Sequence, residues 1–269
     1  MAVSTKAELA EKNAYNKLLK KWSLTSKDAW AAPAGFSTGF PDFGFRLNLG
    51  EKQVDVWIEY KADSKAQMGS MRDWVFDGNK FTTPNPTPEK EELITIMNET
   101  PEAIKNGKRL LNDLKKYADS RIQKIYSGTM TIESDKVRRR QKLIDFAEKT
   151  DNYQIAKIDN TVLGQGIIKH YKKKFKSGLR SDADYSILLM MIDNEIWFIE
   201  EDGRIDLKER QQFFDKIGTI NLPKLSNLKA QLEVRIQPRG LSAPGKPVSI
   251  DVMASFRLSG KPAAGFRVF

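Results

Sequence analysis

"GFPDFGFRLNLGEKQVDVWIEYKAD" occupies residues 39–63, and its reading decides the fold. The second half alternates. Val54, Val56, Ile58 and Tyr60 fall on one side of an extended strand, and Asp55, Trp57, Glu59 and Lys61 on the other. F-R-L-N-L, a turn at G-E-K-Q and V-D-V-W-I-E-Y-K therefore predict two strands joined by a short connection. An acid and a lysine two residues apart share one face, which is either solvated or a metal site.

Upstream, residues 5–22 repeat Leu9, Ala10, Ala14, Leu18 and Trp22 at three- and four-residue spacing, which predicts an amphipathic helix. Gly35, Gly39 and Pro41 break the chain between that helix and the hairpin. Downstream, A-D-S-K-A-Q-M-G-S-M-R-D-W-V-F is mixed and reads as a turn followed by a short helix or an extended stretch. Residues 82–91, with prolines at 84, 86 and 88, form the clearest loop. Residues 89–126 and 134–149 read as helical around Gly128, and a basic helix carries Ile167, Ile168, Tyr171 and Phe175. From about residue 185 the pattern turns to strands: S-I-L-L-M-M-I with I-W-F-I-E, then A-Q-L-E-V-R-I-Q with P-V-S-I-D-V-M-A-S-F-R-L. "EEDGRIDLKER" offers a second acid and lysine, Asp206 and Lys208, but D-L-K-E-R reads as a helix start.

Composition narrows the chemistry. The chain has 269 residues, 40% of them hydrophobic and 30% charged, with a mean hydropathy of −0.52, as expected of a globular protein. No run approaches the roughly 18 apolar residues of a membrane span. The N-terminal M-A-V-S-T-K-A-E-L-A lacks a signal-like apolar core, so a cytoplasmic location is expected. There is no cysteine and one histidine, His170, which excludes thiolate and multi-histidine metal sites and disfavours a serine–histidine triad. Metal chemistry must then use carboxylates, whose oxygen ligands suit Mg²⁺ or Mn²⁺.

The net charge is +10, and it is localised. Residues 101–180 hold 20 Lys/Arg against 9 Asp/Glu, leaving 25 against 26 for the rest of the chain. Such a field is the electrostatic footprint of a nucleic-acid binder. Arg138, Arg139, Arg140, Lys172, Lys173, Lys174 and Lys176 are the candidate phosphate contacts, which supply affinity without sequence information. The competing reading of these runs is a solvated helix face, with Tyr171 and Phe175 as core packing. His170 reads as a phosphate contact or surface residue, and Trp57, Trp74 and Trp197 as core aromatics.

Phosphodiester hydrolysis needs an activated water and relief of charge on the phosphate and leaving oxygen. Carboxylates holding a divalent metal, with a lysine, supply both. Asp42, Glu59 and Lys61 fit that set. P-D at 41–42, sixteen residues, then E-Y-K at 59–61 resembles the PD-(D/E)XK nuclease superfamily over roughly residues 5–75. The resemblance implies Asp42 and Glu59 as metal ligands with the Tyr60 carbonyl, Lys61 as the catalytic lysine, and an acid from the preceding helix. That acid is Glu11, with Glu8 its rival on the same face. Ser64 and Gln67 occupy weaker supporting positions, and Asp55 is an alternative to Asp42.

The expected fold is α/β: a restriction-endonuclease-like core with a mixed central sheet flanked by helices, plus a basic helical insertion and a β-rich C-terminal part. Residues 1–80 carry the hairpin, 81–180 the basic region, and 181–269 the strands that complete the core sheet, all three being compatible with one interwoven domain. The implied activity is a Mg²⁺-dependent deoxyribonuclease of restriction type, acting as a homodimer. The alternatives are a structure-specific resolvase or exonuclease of the same fold, and a non-catalytic DNA-binding or phage assembly protein.

Overall fold

The computed structural model describes residues 6–33, 40–71, 74–116, 120, 132–134, 153–158, 162–179, 182–203, 205–239 and 248–269. Arg138, Arg139 and Arg140, and nearly all of the helix expected over 134–149, lie outside them. The chain folds into two compact units. The first comprises residues 1–66, 168–228 and 260–269, and the second 67–167 and 229–259. Both draw on distant segments, so the divisions expected at residues 80 and 180 do not coincide with them.

Among the described residues the helices, in chain order, are α1 (Lys6–Lys21), α2 (Pro88–Asn98), α3 (Pro101–Lys116), α4 (Leu163–Gly178) and α5 (Leu207–Ile217). The strands are β1 (Ala29–Ala31), β2 (Phe43–Leu49), β3 (Lys52–Lys61), β4 (Gln67–Met71), β5 (Val75–Phe76), β6 (Phe81–Thr82) and β7 (Ile132–Ser134). They continue with β8 (Tyr153–Ile158), β9 (Tyr185–Ile192), β10 (Glu195–Asp202), β11 (Ala230–Arg239), β12 (Val248–Leu258) and β13 (Phe266–Arg267). None of the described helices is long and apolar enough to cross a membrane.

The first unit is built on a six-stranded mixed sheet of order β1-β2-β3-β9-β10-β13. Strands β2 and β3 pair antiparallel through a turn at Gly50 and Glu51, tighter than the four-residue turn the sequence suggested. Gly50 sits at φ +63°, which a two-residue hairpin loop requires. Strand β3 then pairs parallel with β9, from Val54 opposite Tyr185 to Lys61 opposite Ile192. A parallel pair needs a crossover, and the chain re-enters this sheet through α4. Strand β9, Y-S-I-L-L-M-M-I, is buried at every residue, the pattern of a strand covered on both faces.

Each face of the sheet has its own cover. Val54, Val56 and Ile58 join Ala14, Tyr15 and Leu18 of α1, Trp22 just beyond it, and Phe213 and Ile217 of α5 in one core. On the opposite face Trp57 meets Phe175 of α4 edge-on at 5.3 Å, and also contacts Trp30 and Phe40. Burying side chains of this size contributes about 1.5–3 kcal/mol each.

The second unit holds an antiparallel sheet of order β4-β12-β11-β8, with β7 also on β12. Its middle stretch is therefore not wholly helical: β7 and β8 are strands that the sequence reading did not contain. Pro88 opens α2 as its first residue, with the Thr87 side chain capping Lys90 N–H, so the proline-rich loop is shorter than expected. The single helix read over 89–126 breaks at Glu99 and Thr100, before Pro101.

Candidate active site

The polar face of β3 is not solvated. Asp55 is 1% exposed and Glu59 4%, although neither is an apolar residue. Asp55 belongs to a structural pair: Arg46, directly opposite on β2, donates to both its oxygens at 2.8 and 3.0 Å and reaches Asp182 at 2.6 Å. That bidentate pairing occupies Asp55 and separates it in role from the acids at the other end of the strand.

At that end the β2–β3 ladder stops at Phe43 opposite Ile58. The next outward N–H, of Tyr60, would be orphaned. The Asp42 carboxylate accepts it at 2.7 Å, which fixes Asp42 beside the strand that carries Glu59 and Lys61. Glu59 and Lys61 project from the same face because they are two residues apart. The Lys61 ammonium donates to Glu59 Oε1 at 2.6 Å and stands 3.9 Å from Asp42 Oδ2. Tyr171 of α4 also hydrogen-bonds Glu59. Asp42, Glu59 and Lys61 are thus gathered at one point, and Tyr60 connects them through its main chain.

The electrostatics follow from this packing. Burial and the like charge of Glu59 push Asp42 up to about 6, against the pull of Lys61 and of the Tyr60 N–H. Burial likewise opposes ionisation of Glu59, but Lys61 and Lys174, with hydrogen bonds from Lys61 and Tyr171, outweigh it and hold Glu59 below the usual carboxylate range. Burial also disfavours the Lys61 charge, yet Glu59, Tyr171 and Asp42 keep the ammonium protonated well above its ordinary range. Glu11, half-buried on α1, is raised to about 7 by burial and by Asp42, with smaller contributions from Glu59 and Glu8. Glu11 is therefore electrically part of the cluster, and Glu8 acts on it from one turn away.

The remaining expected residues are placed differently. Lys172 pairs with Glu200 at 3.2 Å, Lys173 is half-buried, and Lys176 is exposed. Lys174 lies over the Phe40 ring at 4.6 Å and the Tyr171 ring at 5.8 Å. His170 is 5% exposed and packs against Tyr171, so the expectation of a surface histidine is corrected. Its position on the inward stripe of α4, beside Tyr171 and Phe175, accounts for the difference. The Ser64 carbonyl accepts from Gly260 N–H, and Gln67 opens β4 opposite Arg257. Asp206 caps α5 in a reciprocal box with Glu209, the helix start that its sequence indicated.

Tyr171 is the site residue that sequence reasoning missed. Its spacing to Phe175 marked it as core, and it is core. Only the obligation of a buried hydroxyl to find a partner hinted at Glu59. Among the described residues no group of three or more His, Cys, Asp or Glu side chains is arranged to hold a metal ion. Compared with protein-family models, curated proteins and solved structures, the chain matches none.

Proposed function

We propose that this chain is a Mg²⁺-dependent deoxyribonuclease with a restriction-endonuclease-like core, and that Asp42, Glu59 and Lys61 carry the reaction. The observation behind this reading is the convergence of two carboxylates and one ammonium at the end of β3, with Lys61 Nζ 2.6 Å from Glu59 and 3.9 Å from Asp42. The topology supports it as well: a helix, a hairpin carrying the acids, a crossover helix and a parallel strand beside β3.

The donor set fits a hard divalent cation. Asp42 and Glu59 both reach toward Lys61, their ligating atoms are oxygens, and burial with the like charge of Glu59 still disfavours an ionised Asp42 despite Lys61 and Lys174, a cost that a divalent cation would relieve. Asp42, Glu59 and the Tyr60 carbonyl are the residues that would hold Mg²⁺, with Mn²⁺ as substitute. When bound, that ion polarises the phosphate and lowers the pKa of a bound water. Lys61 orients the attacking water and faces the charge that develops on the phosphate. Glu11, raised to about 7, stands in the range where a carboxyl exchanges protons near neutral pH. The 20 Lys/Arg of residues 101–180 favour DNA as the partner, bound through phosphates. Double-strand cleavage calls for two such sites and so for a homodimer.

A second reading has its own support. With no group of three potential metal ligands among the described residues, the cluster also suits a structural ion-pair network in a non-catalytic DNA-binding or phage assembly protein. One experiment separates the two: Mg²⁺-dependent cleavage of supercoiled, linear and branched DNA by the wild type and Lys61→Ala, with DNA binding followed in parallel. Cleavage lost in the variant while binding persists supports the nuclease. Binding without cleavage on every substrate supports the second reading.

A further inference from the structure

We propose that Lys174 binds the phosphodiester at the candidate active site, an assignment that rests on the nuclease reading and singles out one lysine from a run of three. In sequence Lys172, Lys173 and Lys174 look alike. Their surroundings differ. Lys172 is paired with Glu200, Lys173 is half-buried, and Lys176, further along the helix, is exposed.

Lys174 follows Tyr171 by one turn of α4, so the two side chains share a face. Tyr171 and Phe175 are buried against the sheet, and a Cβ at Gly178 would stand 3.6 Å from the Trp57 ring, so the helix lies close on β3. That seat places the Lys174 ammonium over two aromatic faces, 4.6 Å from the centre of Phe40 and 5.8 Å from that of Tyr171. Phe40 stands two residues before Asp42, and Tyr171 hydrogen-bonds Glu59. Both rings that hold the ammonium are therefore attached to the carboxylate cluster. Lys61 also approaches the Tyr171 ring, at 6.0 Å, but its charge is taken by Glu59 and Asp42.

Lys174 forms no ion pair among the described residues, although it acts on both Glu59 and Asp42 through space. An ammonium held by aromatic faces loses part of its hydration and is attracted by the negative face of each ring. It remains a strong donor without an anion. A phosphate oxygen brought to the Asp42–Glu59–Lys61 cluster provides one, and it enters where Lys174 already points its charge toward the carboxylates. No bond is made or broken by Lys174 in this role; it positions the phosphate and offsets its charge.

The test compares single-turnover Mg²⁺-dependent cleavage of a labelled duplex by wild type, Lys174→Gln, Lys174→Arg and Lys52→Gln. Lys52 pairs with Asp184 at the opposite end of β3, roughly 30 Å of strand away, and controls for loss of one charge. The expected result is a loss of about 30-fold in the single-turnover cleavage rate for Lys174→Gln, recovery of most of it in Lys174→Arg, and a salt slope of binding reduced by about one. Melting temperatures separate this from unfolding, since an added destabilisation would lower activity without changing the salt slope of the folded fraction. If the wild type cleaves and Lys174→Gln matches Lys52→Gln in rate and salt slope, the Lys174 assignment is overturned and the nuclease reading stands. If the wild type cleaves nothing with Mg²⁺ or Mn²⁺, both fall together.

Discussion

Replacing Lys61 by methionine keeps the length of the side chain and removes its charge. Glu59, 4% exposed, then faces a low-dielectric interior with Tyr171 as a neutral donor and Lys174 as a more distant cation. Breaking one side of a buried ion pair costs about 3–5 kcal/mol, because the surviving charge keeps its desolvation penalty. Against a domain stability of about 5–15 kcal/mol, that is a large fraction. For a unit of this size each kcal/mol lowers the melting temperature by about 2–4 °C, so Lys61→Met should melt about 6–20 °C below wild type at pH 8. The sign with pH is set by Glu59. Without Lys61 its folded carboxyl moves above the unfolded value, so the folded state holds the extra proton and the lost stability returns as pH falls through the new value. The double variant Lys61→Met/Glu59→Gln should recover most of the loss, because no unpaired charge is then buried. Calorimetry at pH 5 and pH 8 on four proteins, the wild type, Lys61→Met, Glu59→Gln and the double variant, measures all of this. Equal melting temperatures for wild type and Lys61→Met, or a double variant as unstable as the sum of its singles, would refute the argument that the pair is buried and coupled.

The acids at the cluster make a separate pH prediction. Glu11 and Asp42 are raised from 4.5 and 3.8 to about 7 and about 6, so across that window the folded state binds more protons than the unfolded chain and stability falls as pH rises. Melting curves in chelator should decline from pH 5 to pH 7.5, and Glu11→Gln should flatten the upper part of the decline. Gly44→Ala drives a Cβ into the Trp30 ring, which packs at a tilt against Trp57; loss of about 1–3 kcal/mol and altered tryptophan emission are expected, and an unchanged spectrum with full stability contradicts that packing. Asp206→Ala removes the side-chain acceptor that caps α5 and should cost about 1 kcal/mol in denaturant unfolding, with activity retained.

Much of the first unit was legible in the sequence. Alternation over residues 54–61 located β3 and sorted its faces, three- and four-residue spacing located α1 and α4, and the largely apolar run S-I-L-L-M-M-I located β9 as a strand paired with the one after it. The pleat also placed Glu59 beside Lys61. Burial of that polar face was not legible, because it depends on α4, which lies about a hundred residues further along the chain and brings Tyr171 and Phe175 onto it. The hydrogen bond from Tyr60 to Asp42 was hidden for a similar reason: it exists because β2 stops pairing before Asp42, and strand ends are set by the neighbouring loop. The Lys172–Lys174 run shows the limit most clearly. Three identical side chains received different surroundings from a rotation of about 100° per residue and from one acid, Glu200, on another element. In the second unit, T-P-E-K contained the cap and first-turn proline of α2, but three prolines in five residues concealed them as loop.

The measurement that bears most directly on the central claim is cleavage of labelled DNA by wild type and Asp42→Asn, with Mg²⁺ present or chelated and DNA binding measured in Ca²⁺. Wild-type cleavage that requires Mg²⁺ and drops by about 10³-fold or more in Asp42→Asn, with binding retained, is the predicted result. Cleavage indifferent to Asp42→Asn, or no cleavage by the wild type on supercoiled, linear or branched DNA, would contradict the assignment of Asp42, Glu59 and Lys61 as a hydrolytic site.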